Sequence, residues 1–417
     1  MSDAIVSVRA REVWDSRGLP TIEAEIRTAC GSVGRGIAPA GASTGRREAV
    51  ELRDGTGRLR GRGVRSAVAR VHDLVSPALT GLDVADQAAV DAILDELDLD
   101  PQRSHIGGNT TTAVSLAVAH AAAASAGNML CVDLASRIEY IPRPQIQIMG
   151  GGAHAAHRVA VQDFMAYPVA AQTIGQALTD VAETYLAVGD ILRRRGVPRG
   201  VADEGGHWPE VVDTRDALEI VTEGIELAGY RPGADIAIAL DIAATQFASA
   251  DGYRVGGHLF DTAEWIDELG RLCDEFPITS IEDPASEDDP AGMALAVQRL
   301  GAVVVGDDFL VTDSSRVARA AADGQIGAAL IKVNQAGTVT RAADAVTAAR
   351  AAGIAVIVSA RSGETEDVSV SHLATGWCAD VVKVGSITRG ERTAKWNELL
   401  RIDEEFGGLP LARPIGA

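Results

Sequence analysis

The chain has 417 residues, 47% apolar and 23% charged, enough for a large core and too long for one small domain. Its formal charge of −20 excludes nucleic acid and anionic membranes as natural partners, so an anionic substrate would need metal ions or a few placed Lys and Arg. Cys30, Cys131, Cys273 and Cys378 lack CxxC spacing, which argues against a disulfide framework or a zinc site and suits a reducing cytoplasm.

The amino terminus, MSDAIVSVRARE, is charged early and carries no apolar signal-type core. Up to about residue 45 the chain reads as a β-meander, AIVSVRAREVWD, TIEAEIRTA and GSVGRGIA, with turn signals between. Ala-rich helical patterns follow from about Val64 to Ile138. One stretch, AVSLAVAHAAAASAGNMLCV, is long enough to raise the question of a membrane span, but its Ala, Ser and His120 point to a buried helix. Residues 1–138 are therefore expected to form an α+β lid-bearing module. From 139 to 417 short apolar runs alternate with amphipathic segments: IQIM, VAVQDFMAY, IAIALDIA, ITSIEDP, AVVVGDDF, AALIKVN, IAVIVSA and DVVKVGS. Eight such runs point to a parallel (β/α)-type barrel, an α/β fold. The one dense basic run, Arg193 to Arg195, reads as a solvated helix end.

Polar groups recur at the ends of these strands: Asp163, Asp241, Glu282 with Asp283, Asp307 with Asp308, Lys332 with Asn334, Arg361 with Ser362, and Lys383. A barrel gathers such ends at one mouth. A single acid would pass as a helix cap, whereas seven strand ends in the same register would not. Asp241, Glu282 and Asp307 offer hard oxygen ligands suited to Mg²⁺, and without a cation their neighbourhood would be costly. Lys332 and Lys383 are each open to an ion-pair reading, but two ammonium groups in one mouth are expected to depress each other's pKa, leaving one as a neutral base. Together with the metal trio they suggest proton abstraction beside a carboxylate. The loop APAGASTGRREA is flexible enough to close over a substrate and bring Ser43 as a ligand, and VADEGGHW can carry Glu204 to a leaving group. Taken alone, both read as ordinary loops.

The segments REVWDSRGLPTIEAEI, GASTG, GGAHA, QDFM, DEGG, ALDIAATQF, SIEDP, GDD, LIKVNQAGT, SARSGETED and ERTAKWNELLRIDEE together resemble enolase (phosphopyruvate hydratase), in order and over almost the whole chain. The resemblance implies a lid-bearing N-terminal domain and a barrel with an irregular ββαα start. It also implies two Mg²⁺ ions, the second bound with substrate, and a homodimer or higher even oligomer. The reaction implied is loss of water from 2-phosphoglycerate, a small anionic phosphorus-bearing acid. Asp241, Glu282 and Asp307 would hold the first metal, and Ser43 would join the second. Lys332 would be the general base, Lys383 would contact the substrate carboxylate, and Glu204 would protonate the departing hydroxide. Gln162, Asp163 and His154 would surround it, and Arg361 with Ser362 would grip the phosphate.

The departures from the family pattern cluster where substrate is expected. Asp163 stands for Glu, withdrawing the carboxyl by about 1.5 Å. Gly150 stands for Asn, Ala40 and Arg47 for Ser and His, Val384 for Thr, and Ala360 for the His of SHRSGETED. Ala360 would leave space beside the phosphate grip, and Arg47 would add a planar cation for a further anionic group. This reading favours a specialised paralogue of the carboxyphosphonoenolpyruvate synthase type, from phosphinate pathways. The alternative is a housekeeping enolase, and a different class is a non-catalytic enolase-fold binding protein. Other barrel lyases, acting on sugar acids or muconates, fit the GASTG loop and the Lys pair less well. Glu364 to Asp367 read as a helix start.

Overall fold

The structure is a computed structural model that describes residues 3–416, except positions 56, 136, 158 and 212. The amino-terminal strands Ile5–Trp14, Pro20–Thr28 and Val33–Ile37 form the expected antiparallel meander, with Ala10 opposite Ala24 and Ala24 opposite Gly36. Alternation places Ile22, Ala24 and Ile26 against helices, whose Val71, Val75, Leu79 and Leu94 complete a separate core. The Ala-rich stretch becomes the buried helix Gly108–Ala126. Its small residues have a steric reason: a Cβ at Gly34 would collide with the Ala117 carbonyl, and one at Gly36 would lie 2.6 Å from the Ala113 carbonyl. The last strand lies flush on the helix because both surfaces lack bulk. Among the described residues no helix is long and apolar enough to cross a membrane.

The second half closes a barrel of eight strands: Arg143–Gly150, Asp163–Tyr167, Ala237–Asp241, Ile278–Glu282, Val303–Gly306, Ala328–Ile331, Ala355–Ser359 and Val381–Ser386. The last pairs with the first, Val381 opposite Arg143. The barrel is not wholly parallel, as the apolar runs alone suggested, because Asp163–Tyr167 runs antiparallel to both neighbours, the irregular start that the resemblance implied. Asp163 therefore opens its strand instead of ending it, and the reversal is what brings it to the shared mouth, opposite Asp241. Asp241 in turn lies opposite Glu282. Tyr167, Ala237, Val305, Leu330, Ile357 and Val381 cluster as one core, while neighbours along the strands such as Ile238, Val304 and Val358 join the larger core that packs on the helices. Arg195, at the end of the helix Ile174–Arg194, pairs with Asp216 and Glu223. The four cysteines are free thiols.

The two halves are docked by polar contacts. Asp91 accepts from the backbone of Thr340 at 3.0 Å, and Ser115 Oγ accepts from Val339 N at 2.9 Å. Ala40 and Gly363 exchange backbone hydrogen bonds of 2.9 and 2.8 Å, so the lid loop begins as a strand laid on the loop after Ser359. The segment 364–367 precedes the helix Ser369–Gly376 instead of starting it, and Asp367 accepts from Ser369 N at 2.7 Å.

Candidate active site

At the mouth, backbone register sets Asp241 and Glu282 side by side, and Lys383 from the last strand reaches between them. Its ammonium donates to Asp241 Oδ2 at 2.8 Å and Glu282 Oε2 at 2.6 Å, with Asp163 Oδ2 at 3.9 Å. Lys332 donates to Asp307 Oδ2. A ring of hydrogen bonds fixes this pair: Gln335 donates to Asp307 Oδ1, Thr312 Oγ donates to Gln335 Oε1, and Lys332 N donates to Thr312 Oγ. Gln162 donates to Asp241 Oδ2 at 3.0 Å. Lys383 does pull the Lys332 pKa down, as expected, but the effect is outweighed. Burial pulls both down, but Asp307 beside Lys332, and Asp241 with Glu282 beside Lys383, outweigh it and raise both pKa values.

Burial and then Asp241 push the Glu282 carboxyl well up, while burial, Asp307 and Asp308 do the same to Asp283. The Asp283 carboxylate accepts from Asp307 N at 2.9 Å and Asp308 N at 2.7 Å, holding that loop in place. Buried oxygens of three carboxylates, Asp163 Oδ2, Asp241 Oδ1 and Glu282 Oε1, have no hydrogen-bond partner among the described residues. Orphaned hard oxygens of this kind fit a Mg²⁺ ion.

Beside them, His154 Nδ1 lies 2.9 Å from Asp163 Oδ1 and its Nε2 lies 3.7 Å from Glu204 Oε1. Burial opposes the imidazolium, yet Asp163 and Glu204 raise the His154 pKa to about 9. Burial, then Asp163, raise that of Glu204, which suits an acid that must hold its proton. Gln147 donates to Asp163 Oδ1 and accepts from Gly206 N at 2.8 Å, tying the shortened acid to the loop that carries Glu204. Position 206 must be glycine for this, since a Cβ would lie 2.5 Å from Gln147 Oε1.

Arg361 is buried, and its guanidinium meets Glu48 at 3.1 Å, Asn334 Oδ1 at 3.0 Å and the Ser43 carbonyl at 3.0 Å. Ser362 Oγ accepts from Ala42 N at 2.6 Å. Arg392, fully buried, donates to the carbonyls of Arg361, Ser362 and Val384 and fixes the loop from behind. Arg361 thus meets Ser43 through the Ser43 backbone carbonyl, and Ser362 holds the neighbouring Ala42. Arg47 does not join them: it pairs with Asp288 at 2.9 Å and Glu287 at 3.4 Å on the barrel rim, alongside Arg46, so carboxylates of the chain itself take its charge. Glu48, Gln147 and Gln335 escaped the sequence reading. Glu48 could have been found, since it lies in the quoted lid loop next to Arg47, whereas the two glutamines carry no charge to mark them.

Residues 139–411 match the family model "Enolase, C-terminal TIM barrel domain", and residues 5–133 match "Enolase, N-terminal domain". The chain belongs to the enolase family. An enolase of Acidothermus cellulolyticus is 44% identical over 405 residues, covering 96% of this chain and 94% of that protein. Similarity of that extent to a protein named simply enolase favours the ordinary enolase over the specialised paralogue. The chain is an enolase-like lyase, and membership implies Mg²⁺ binding. Within this enolase fold Ala360 is buried, its N–H donating to the Lys383 carbonyl at 2.8 Å. It lines a cavity of about 40 Å³ whose other walls are chiefly apolar, including Ile37, Pro39, Val358 and Leu373. That space is small and ill suited to an extra charged substituent.

Proposed function

We propose that this enolase-family lyase removes water from 2-phosphoglycerate to give phosphoenolpyruvate. The observation that carries this reading is the pair of carboxylate oxygens on Asp241 and Glu282 that have no hydrogen-bond partner among the described residues, in a mouth where Lys332 meets Asp307 and Lys383 meets Asp241 and Glu282. Asp241, Glu282 and Asp307 would hold one Mg²⁺, and Ser43 would join a second that enters with the substrate. A Mg²⁺ ion held by Asp241, Glu282 and Asp307 would supply positive charge beside the substrate carboxylate, and Asp307 would then be shared between the ion and Lys332.

Lys332 is the base that removes the proton from C2. Lys383, fixed on a rigid strand, meets the substrate carboxylate. Glu204, its proton retained by burial and by Asp163, gives that proton to the C3 hydroxyl, which leaves as water while the C2–C3 double bond forms. His154, between Asp163 and Glu204, orients the acid. Arg361 exchanges Glu48 for the substrate phosphate, and Ser362 adds a hydroxyl. Gln162 holds Asp241. The closed lid excludes water.

The domain division at 138/139, a homodimer and a cytoplasmic location belong to the same reading. The test is direct: purified protein with Mg²⁺ and 2-phosphoglycerate, followed by the ultraviolet absorbance of the enol product. Steady turnover is expected. Inability to turn over 2-phosphoglycerate at saturating Mg²⁺ would return the altered-substrate reading.

A further inference from the structure

The loop after Val303–Gly306 and the short helix Val333–Ala336 each send one polar side chain behind Lys332 and Asp307. Thr312, 1% exposed, comes from the loop, and Gln335, 3% exposed, from the helix. Both also line a groove of about 640 Å³ together with Pro101, Asp313 and Arg341, so they stand between that groove and the Lys332–Asp307 pair. Chemistry settles the direction of every hydrogen bond here. Lys332 N can only donate, so Thr312 Oγ accepts from it at 2.9 Å and has its own hydrogen left for Gln335 Oε1 at 2.7 Å. With Oε1 committed, the amide turns Nε2 toward Asp307 Oδ1 at 2.9 Å, the one end of an amide from which a carboxylate can accept. Asp307 Oδ2 is left for the Lys332 ammonium, which closes the ring.

The hydroxyl is held there against backbone strain. Val311 and Thr312 have φ of +49° and +55°, the left-handed region that β-branched residues rarely enter. Glycine would relieve the strain and lose the hydroxyl. Such conformations persist where surrounding contacts over-determine them, and they concentrate at working sites. Gln335 is tied to the lid as well, since its carbonyl accepts from Ala49 N at 2.9 Å. The segment that carries Glu48 and the ring around the base therefore share one residue.

We propose that Thr312 and Gln335 are positioning residues for proton removal, holding Lys332 and Asp307 at the separation and angle from which Lys332 reaches the C2 proton. The proposal rests on the dehydration of 2-phosphoglycerate and adds to it the residues that aim its base. Proton transfer depends steeply on distance and alignment, so moving a reacting group by about 1 Å costs on the order of 10²-fold. Loss of the hydroxyl alone leaves the Lys332 N–H and Gln335 Oε1 buried without partners, and the end of the strand shifts to satisfy them. The cost falls on the step that breaks the C2–H bond. Substrate binding, which depends on Arg361, Ser362 and Lys383 from other strands, is spared.

Thr312→Val keeps shape and β-branching and removes only the hydroxyl. At saturating Mg²⁺, kcat for 2-phosphoglycerate should fall about 10- to 100-fold with KM within about twofold, and deuterium at C2 should give a full primary isotope effect on kcat. Thr312→Ser restores the hydroxyl and should return kcat to within about threefold of wild type. Gln335→Met should behave like Thr312→Val, and the double variant should be no slower than the slower single, as for two parts of one unit. Should Thr312→Val fail to fold, Gln335→Met and Thr312→Ser decide the matter. A fall in kcat without a primary isotope effect, a Ser variant as slow as the Val variant, or Val and Met variants within twofold of wild type would each overturn the positioning role while wild-type turnover of 2-phosphoglycerate leaves the proposed function standing. A wild type that does not turn over 2-phosphoglycerate overturns the proposed function, and the positioning role with it.

Discussion

The barrel mouth and the latch of the lid loop are both built from basic side chains meeting carboxylates, in opposite surroundings. Lys383 and Asp241 are 6% and 3% exposed in their side chains, whereas Arg47 and Asp288 are 44% and 47% exposed. Water screens the Arg47–Asp288 pair, so it costs little to break and can serve a moving loop, although Glu287, the other carboxylate of the latch, is buried. In the mouth nothing replaces a lost partner, so the same type of contact becomes a strong constraint on charge. Burial, more than the identity of the pair, separates the chemistry from the hinge.

Four substitutions probe that contrast, taken from the largest expected effect down. Lys332→Ala removes the proposed base, and kcat should fall by about 10³-fold or more with KM nearly unchanged. A variant within tenfold of wild type would assign the base elsewhere. Lys383→Met leaves Asp241 and Glu282 facing each other, and denaturant unfolding without Mg²⁺ should show a loss of about 3–5 kcal/mol, partly recovered when Mg²⁺ is added.

His154→Gln tests the sign of a raised pKa. The folded value of about 9 lies above the ordinary 6.5, so the stability from this imidazolium is complete below about pH 6.5 and disappears as pH rises through about 9. The stability gap between wild type and variant should therefore narrow across that window, and a constant gap would mean that His154 does not gain its charge from Asp163 and Glu204. Arg47→Ala should be the mildest, costing under about 1 kcal/mol in low salt and nothing measurable in high salt. A larger, salt-insensitive loss would show that the buried Glu287, more than the exposed Asp288, carries the contact.

The strands and their polar ends could be read from the chain because each side chain at the mouth follows an apolar run, and Asp241, Glu282, Asp307 and Lys332 lie at or just after strand ends, while Lys383 sits inside Val381–Ser386. The direction of the strand at Asp163 could not, since a period-two pattern reads the same in both directions. Lys332 shows a second limit. Its charge state depends on which carboxylate stands beside it, and Asp307 comes from another strand. Arg47 shows a third: a cation in a substrate loop looked like a ligand for substrate until Glu287 and Asp288, some 240 residues away in sequence, appeared opposite it. Ala360 marked a departure from the family pattern, but its small, largely apolar cavity could be seen only in the packed structure.

The pairing of Val381–Ser386 with Arg143–Gly150 also governs how the chain can be made. A nascent chain that has not yet released residues past 380 holds seven barrel strands with Ala355–Ser359 and most of Arg143–Gly150, whose Met149 alone meets His207, as open edges. Such edges invite other chains, and the contact that removes them spans more than half the sequence. Synthesis of the final segment is thus the step at which the barrel stops being an aggregation hazard, and truncation before residue 381 should yield insoluble protein even though every proposed metal ligand is present.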